Sequence, residues 1–160
     1  MNTAMKQKEL EAMLDQAVRE VTERTAGVKL CPGGEPPGED LCTVCISFSK
    51  GFHTSLSLCA ETSLLARMAR NALGEDSLNF QDLEDFGKEY FNVLCGKIAA
   101  ALYRITHVAA RFSVPVFYRG RYTPQGHQVQ FMLTYTDEYQ KGAQLIHHVP
   151  HCEDGLVQEI

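Results

Sequence analysis

The stretch 41-LCTVCISFSKGFHTSLSLCA-60 decides the fold. Over 41–49 the side chains alternate: Cys42, Val44, Ile46 and Phe48 fall on one face, Thr43, Cys45, Ser47 and Ser49 on the other. Lys50-Gly51 is a turn signal, and 52–60 alternates again, so the stretch predicts a β-hairpin. Directly after it, Thr62-Ser63 can cap a helix over about 62–73, which Gly74 ends. Asn79 or Ser77 can cap a longer helix from about 80 to 106.

Working outward, residues 4–25 carry Leu10, Met13, Leu14, Ala17, Val18 and Val21 at three- and four-residue steps, the mark of an amphipathic helix. The segment 26-AGVKLCPGGEPPGED-40 brings three Pro and four Gly and predicts a loop, with room for a short strand before it. Downstream, 111-RFSVPVFYRG-120 and 127-HQVQFMLTYT-136 alternate as strands, and 143-AQLIHHV-149 is a third candidate. Pro115 inside the first marks it as an edge strand or a bulge. Strands joined by short turns, with helices set apart from them, give an α+β fold: a mostly antiparallel sheet with helices packed on one face. Residues 1–149 are expected to form a single domain and 150–160 a C-terminal tail.

At 160 residues, 44% apolar and 22% charged, the composition is that of an ordinary globular domain. The net charge of −5 and pI near 5.6 argue against nucleic acid or an anionic membrane as partner. No apolar run approaches the roughly 20 residues of a spanning helix. The N-terminus MNTAMKQKELEAMLDQ lacks the apolar core of a signal peptide, so a cytoplasmic location is expected. The six cysteines (Cys31, Cys42, Cys45, Cys59, Cys95, Cys152) are then expected as reduced thiols serving as small hydrophobes.

The long helix carries the chemistry. At about 100° per residue, Leu83, Phe86, Tyr90, Phe91, Leu94, Ile98, Ala101, Leu102 and Ile105 gather on a core face. Asp85, Glu89, Asn92, Gly96 and Tyr103 gather opposite, within roughly 60°, flanked by Cys95, Ala99 and Ala100. Such a stripe is commonly just a solvated face. Here it contains Asn92 and Gly96, both poor helix formers, and lacks a run of Glu–Lys pairs at i,i+4, although Lys88 and Lys97 lie nearby. A carboxylate pairs with a cation, and a carboxamide can hold a water and aim its lone pair. Ser–His–Asp order, a well-spaced Cys–His pair and a phosphate-binding Gly loop are all missing. The stripe therefore suits a site that orients water rather than one that forms a covalent intermediate.

Asp85-x3-Glu89-x2-Asn92, followed by Gly96 and Lys97-Ile-Ala-Ala-Ala, resembles the signature of the CheC/CheX/FliY chemotaxis phosphatases. The flanking order is similar too: a Gly-turned hairpin running into an Ala/Met-containing helix that ends in Leu-Gly-Glu (44–76), and a strand with an internal Pro (112–120). The resemblance spans about residues 10–148. The single motif makes the chain CheX-like, since CheC members typically carry two related halves. The resemblance implies hydrolysis of the aspartyl phosphate of a CheY-like receiver domain. Asn92 would position the attacking water and Glu89 would pair with the receiver's Lys. Asp85, Lys88 and Gly96 would meet the partner. It further implies no cofactor bound by this chain, a Mg²⁺ ion held by the receiver, and a homodimer formed through sheet edges, for which strands 111–118 and 127–136 would be available. Two alternatives stay open: a docking module of the same fold that binds a receiver or flagellar-switch component without chemistry, and a self-associating regulatory domain.

Two other clusters invite a metal. Cys42-x2-Cys45 has zinc-ligand spacing, but residues three apart on a strand face opposite sides. His147, His148, His151 and Cys152 could form a site near the C-terminus, and an exposed His-rich strand end is the favoured alternative. No metal site is therefore expected.

Overall fold

The computed structural model describes residues 5–50 and 54–151, including all but the side chain of Lys50. Three helices, α1 (Gln7–Ala26), α2 (Thr62–Leu73) and α3 (Phe80–Thr106), pack on one side of an antiparallel sheet. The strands are β1 (Cys31–Pro32), β2 (Leu41–Lys50), β3 (Ser55–Glu61), β4 (Arg111–Phe112), β5 (Val116–Arg119), β6 (His127–Thr136) and β7 (Gly142–Pro150). Among the described residues the sheet runs β1-β6-β7-β3-β2-β4, with β5 also paired to β2. The expected tail falls mostly on 152–160, outside the described residues. Among the described residues no helix is long and apolar enough to cross a membrane.

The hairpin forms as its alternation requires, with Cys42 opposite Ala60 and Val44 opposite Leu58. Cys42, Val44, Ile46 and Phe48 enter the core between sheet and helices, together with Leu58, Leu145 and the stripe of α1. Cys42 and Cys45 thus lie on opposite faces. Burial pushes the Cys45 thiol up to about 11, where it stays protonated. The second face of the sheet is not a solvated face: Thr43, Ser57, Cys59, Gln144, Ile146 and His148 are buried on it. Segment 120–126 is tied to it, with the Thr43 hydroxyl donating to the Gly120 carbonyl at 2.7 Å and Arg121 Nη1 donating to Gln144 Oε1 at 3.3 Å. Gly120 takes a φ of 86°, a conformation that favours glycine, where the chain leaves β5.

Four expectations change. The strand over 111–120 is broken at Ser113–Pro115 into β4 and β5, both paired to β2, because Pro115 cannot donate to the ladder. Helix α2 starts where expected, but Thr62 does not cap it: its hydroxyl donates to Asp40 Oδ1 at 2.8 Å, and Glu61 occupies the cap position. His147 and His148 are buried, not exposed, because β7 is an inner strand between β6 and β3. Ile105 is 47% exposed instead of in the core, since it sits in the last turn of α3, beyond Leu102, the helix's last buried residue.

Candidate functional site

Helix α3 begins at a reciprocal cap. The Asp82 N–H donates to Asn79 Oδ1 at 2.8 Å, and the Asn79 N–H donates to Asp82 Oδ2 at 3.2 Å. Its core face, Leu83, Tyr90, Phe91, Leu94, Ile98 and Leu102, is buried as the periodicity requires. Cys95, expected beside the polar stripe, is also fully buried. The Thr22 hydroxyl donates to the Val18 carbonyl, so the Tyr90 phenol donates to Thr22, at 2.6 Å, and locks α3 to α1. Burial pushes the Tyr90 phenol far above its usual range, so it remains a donor throughout neutral pH. Lys97 pairs with Glu20 at 2.7 Å and ties the same two helices from outside.

Against this fixed rod, Asp85, Glu89 and Asn92 are exposed on the face away from the core. Gln81 Nε2 donates to Asp85 Oδ1 at 2.8 Å, and Lys88 Nζ pairs with Glu84 at 2.9 Å. Among the described residues, nothing in the chain holds the Glu89 or Asn92 side chain. Gly96 lies on the same face with nothing within 4 Å of where a Cβ would sit, so packing inside the chain does not explain a glycine there.

Two features of the site were not anticipated. The break between β4 and β5 forms an arch, and Phe112, Ser113, Val114 and Pro115 wall a cleft of about 430 Å³ whose other wall is Asp85, Lys88, Glu89 and Asn92. The second is Gly87. A Cβ there would lie 3.2 Å from Phe117 and 3.4 Å from Val44, so a glycine lets α3 lie close on β5 and β2. Pro115 in an alternating strand and a glycine two residues before Glu89 were the available signals. The His147/His148 pair lies away from this cleft. His147 stacks on Phe131, while His148 faces the other side and bonds Ser57 at 2.8 Å. Among the described residues, no group of three or more His, Cys, Asp or Glu is arranged to hold a metal ion.

Residues 42–135 match the family described as Chemotaxis phosphatase CheX. The chain belongs to the CheX family. Solved CheX structures share its fold. Chemotaxis protein CheX from Desulfovibrio desulfuricans superimposes with a TM-score of 0.73 at 16% identity, over 87% of this chain and 97% of that one. CheX from Vibrio vulnificus gives 0.69 at 17%, over 87% and 96%. A chain of the CheX–CheY–BeF3–Mg²⁺ complex from Borrelia burgdorferi gives 0.69 at 12%, over 89% and 98%. At such identities the likeness is one of fold. No curated protein matches the sequence.

Proposed function

We propose that this CheX-family chain hydrolyses the aspartyl phosphate of a CheY-like receiver domain. The observation that carries the reading is the pair Glu89 and Asn92, side by side and unengaged on the exposed face of a rigid, apolar-backed helix, at the edge of a cleft. In this reading the Asn92 carboxamide oxygen accepts a hydrogen bond from a water and points its lone pair at phosphorus. The water oxygen forms the new P–O bond and the bond to the aspartyl oxygen breaks. The receiver's aspartate leaves as a carboxylate, and the water's protons pass to phosphate and solvent. Glu89 pairs with the receiver's Lys beside the phosphorylated residue. Alignment of water and charge neutralisation suffice for this reactive bond, and no nucleophile from this chain is needed. The Mg²⁺ belongs to the receiver's own site. Asp85, Lys88 and Gly96 meet the partner around this pair.

The experiment is release of inorganic phosphate from a phosphorylated receiver with catalytic amounts of this protein. Asn92→Ala should lower the rate about a hundredfold while receiver binding survives. Unchanged phosphate release in that variant overturns the mechanism. Binding by the parent protein with no shortening of the phosphoreceiver's lifetime would instead make it a docking module.

A homodimer through a sheet edge fits the same picture. β1 pairs with β6 only at Tyr135 and Thr136, which leaves most of β6 without a second neighbour among the described residues. Light scattering that returns a monomer at micromolar concentration would refute it.

A further inference from the structure

Any receiver that brings a phosphoryl group to Asn92 also has to fit around what rises beside Asn92. On one flank stands the arch. Val114 at its tip is 80% exposed and lines the same cleft as Glu89 and Asn92. On the other flank, about 100° further round α3 from Asn92, Val93 is 43% exposed. The polar pair therefore sits between two exposed valines.

A single exposed apolar residue needs no explanation. The arch is different because it is built to hold its tip in place. The Ser113 N–H donates to the Ser47 carbonyl at 2.8 Å, and Ser113 Oγ accepts from the Ser47 N–H at 3.0 Å. On the far side, Pro115 restricts the backbone and leads into β5, where Val116 is paired with Cys45. A β-branched side chain on a tethered loop loses little further freedom on binding. Among the described residues, Val114 contributes no burial to this chain's own core.

We infer that Val114 and Val93 are the apolar anchors by which the protein grips the receiver, Val114 the stronger, while α3 supplies the chemistry. The occupant is the receiver domain of the proposed function, on which this inference rests. Its matching surface is then apolar and lies beside its phosphorylated aspartate. A polar centre rimmed by desolvated apolar contacts keeps bulk water from competing for the phosphoryl group and places the affinity outside the reacting atoms.

The test is steady-state dephosphorylation of a phosphoreceiver by the full chain and by Val114→Asp, Val114→Ser and Val93→Ser. Thermal melting should be unaltered by either Val114 change, because the side chain is outside the core. Val114→Asp should raise KM tenfold or more and change kcat less than twofold. Val114→Ser and Val93→Ser should each raise KM severalfold. Asn92→Ala should do the opposite, lowering kcat at constant binding. A parent protein without activity or binding toward receivers removes the proposed function. An active parent whose Val114→Asp variant keeps its KM removes the anchor alone, as does a variant that loses kcat at unchanged KM.

Discussion

Gly96 and Gly87 sit nine residues apart on one helix and have opposite reasons to be glycine. At Gly87 the space for a side chain is taken by Phe117 and Val44. At Gly96 the space is open, so a glycine there forgoes helix stability without any return inside the chain. Gly96→Ala should therefore stabilise the protein by about 0.5–1 kcal/mol, raising Tm by roughly 1–4 °C. On the proposed docking, the same variant should bind a receiver less well, because a Cβ would stand on the face proposed to meet that partner. A calorimetric melt paired with a binding titration checks both, and unchanged affinity would free Gly96 from any part in docking. The sequence made Gly96 stand out because it shares a stripe with Glu89 and Asn92. Gly87 did not stand out, since what presses on it comes from β2 and β5, far away along the chain.

Among the elements, α3 was the most legible, and the reason is local. Asn79 followed by Asp82 is a start signal that needs no tertiary partner, and the structure uses it as a reciprocal cap. Asn79→Ala should cost about 1 kcal/mol, seen as a Tm lower by roughly 2–4 °C. Gly74 closes α2 in the left-handed conformation for a similarly local reason. The start of α2 was harder, because the Thr62 hydroxyl has a second option in Asp40, twenty-two residues earlier. The polar half of the hairpin was the least legible element. The alternation set Thr43, Cys45, Ser47 and Ser49 opposite the apolar positions and went no further, and in the structure Thr43 and Ser57 are buried on a face to which segment 120–126 is tied. Alternation shows that two faces differ and leaves open what covers the second.

Taken as a whole molecule, the sheet buries both members of a neighbouring histidine pair, one on each face. Burial, with the neighbouring His148 charge adding to it, lowers His147 to about 4. Burial, with His127 adding, lowers His148 to about 4 as well. Both groups are neutral when folded and take up protons near pH 6.5 when unfolded. Their neutral form favours the native state fully above pH 6.5, and that advantage is lost as pH falls toward 4. Between pH 6.5 and 5 each should remove about 2 kcal/mol of stability. Urea titrations at a series of pH values measure this, and a flat profile over that window would show that the pair is not charged on unfolding. The strand order that buries the pair was not legible. Two adjacent histidines near a chain end suggest exposure, and only the insertion of β7 between β3 and β6 reverses it.

The arch between β4 and β5 has a consequence for how such a protein can diversify. Its two ends are each fastened to β2, so the framework is closed on either side of Ser113–Pro115. The residue at its tip can be exchanged, or the loop lengthened, without reopening the core or moving α3. A lineage with several signalling pathways could thus retune which partner each copy accepts by rewriting the tip alone, while Ser113 and Pro115 keep the tether and the proposed pair on α3 is inherited untouched.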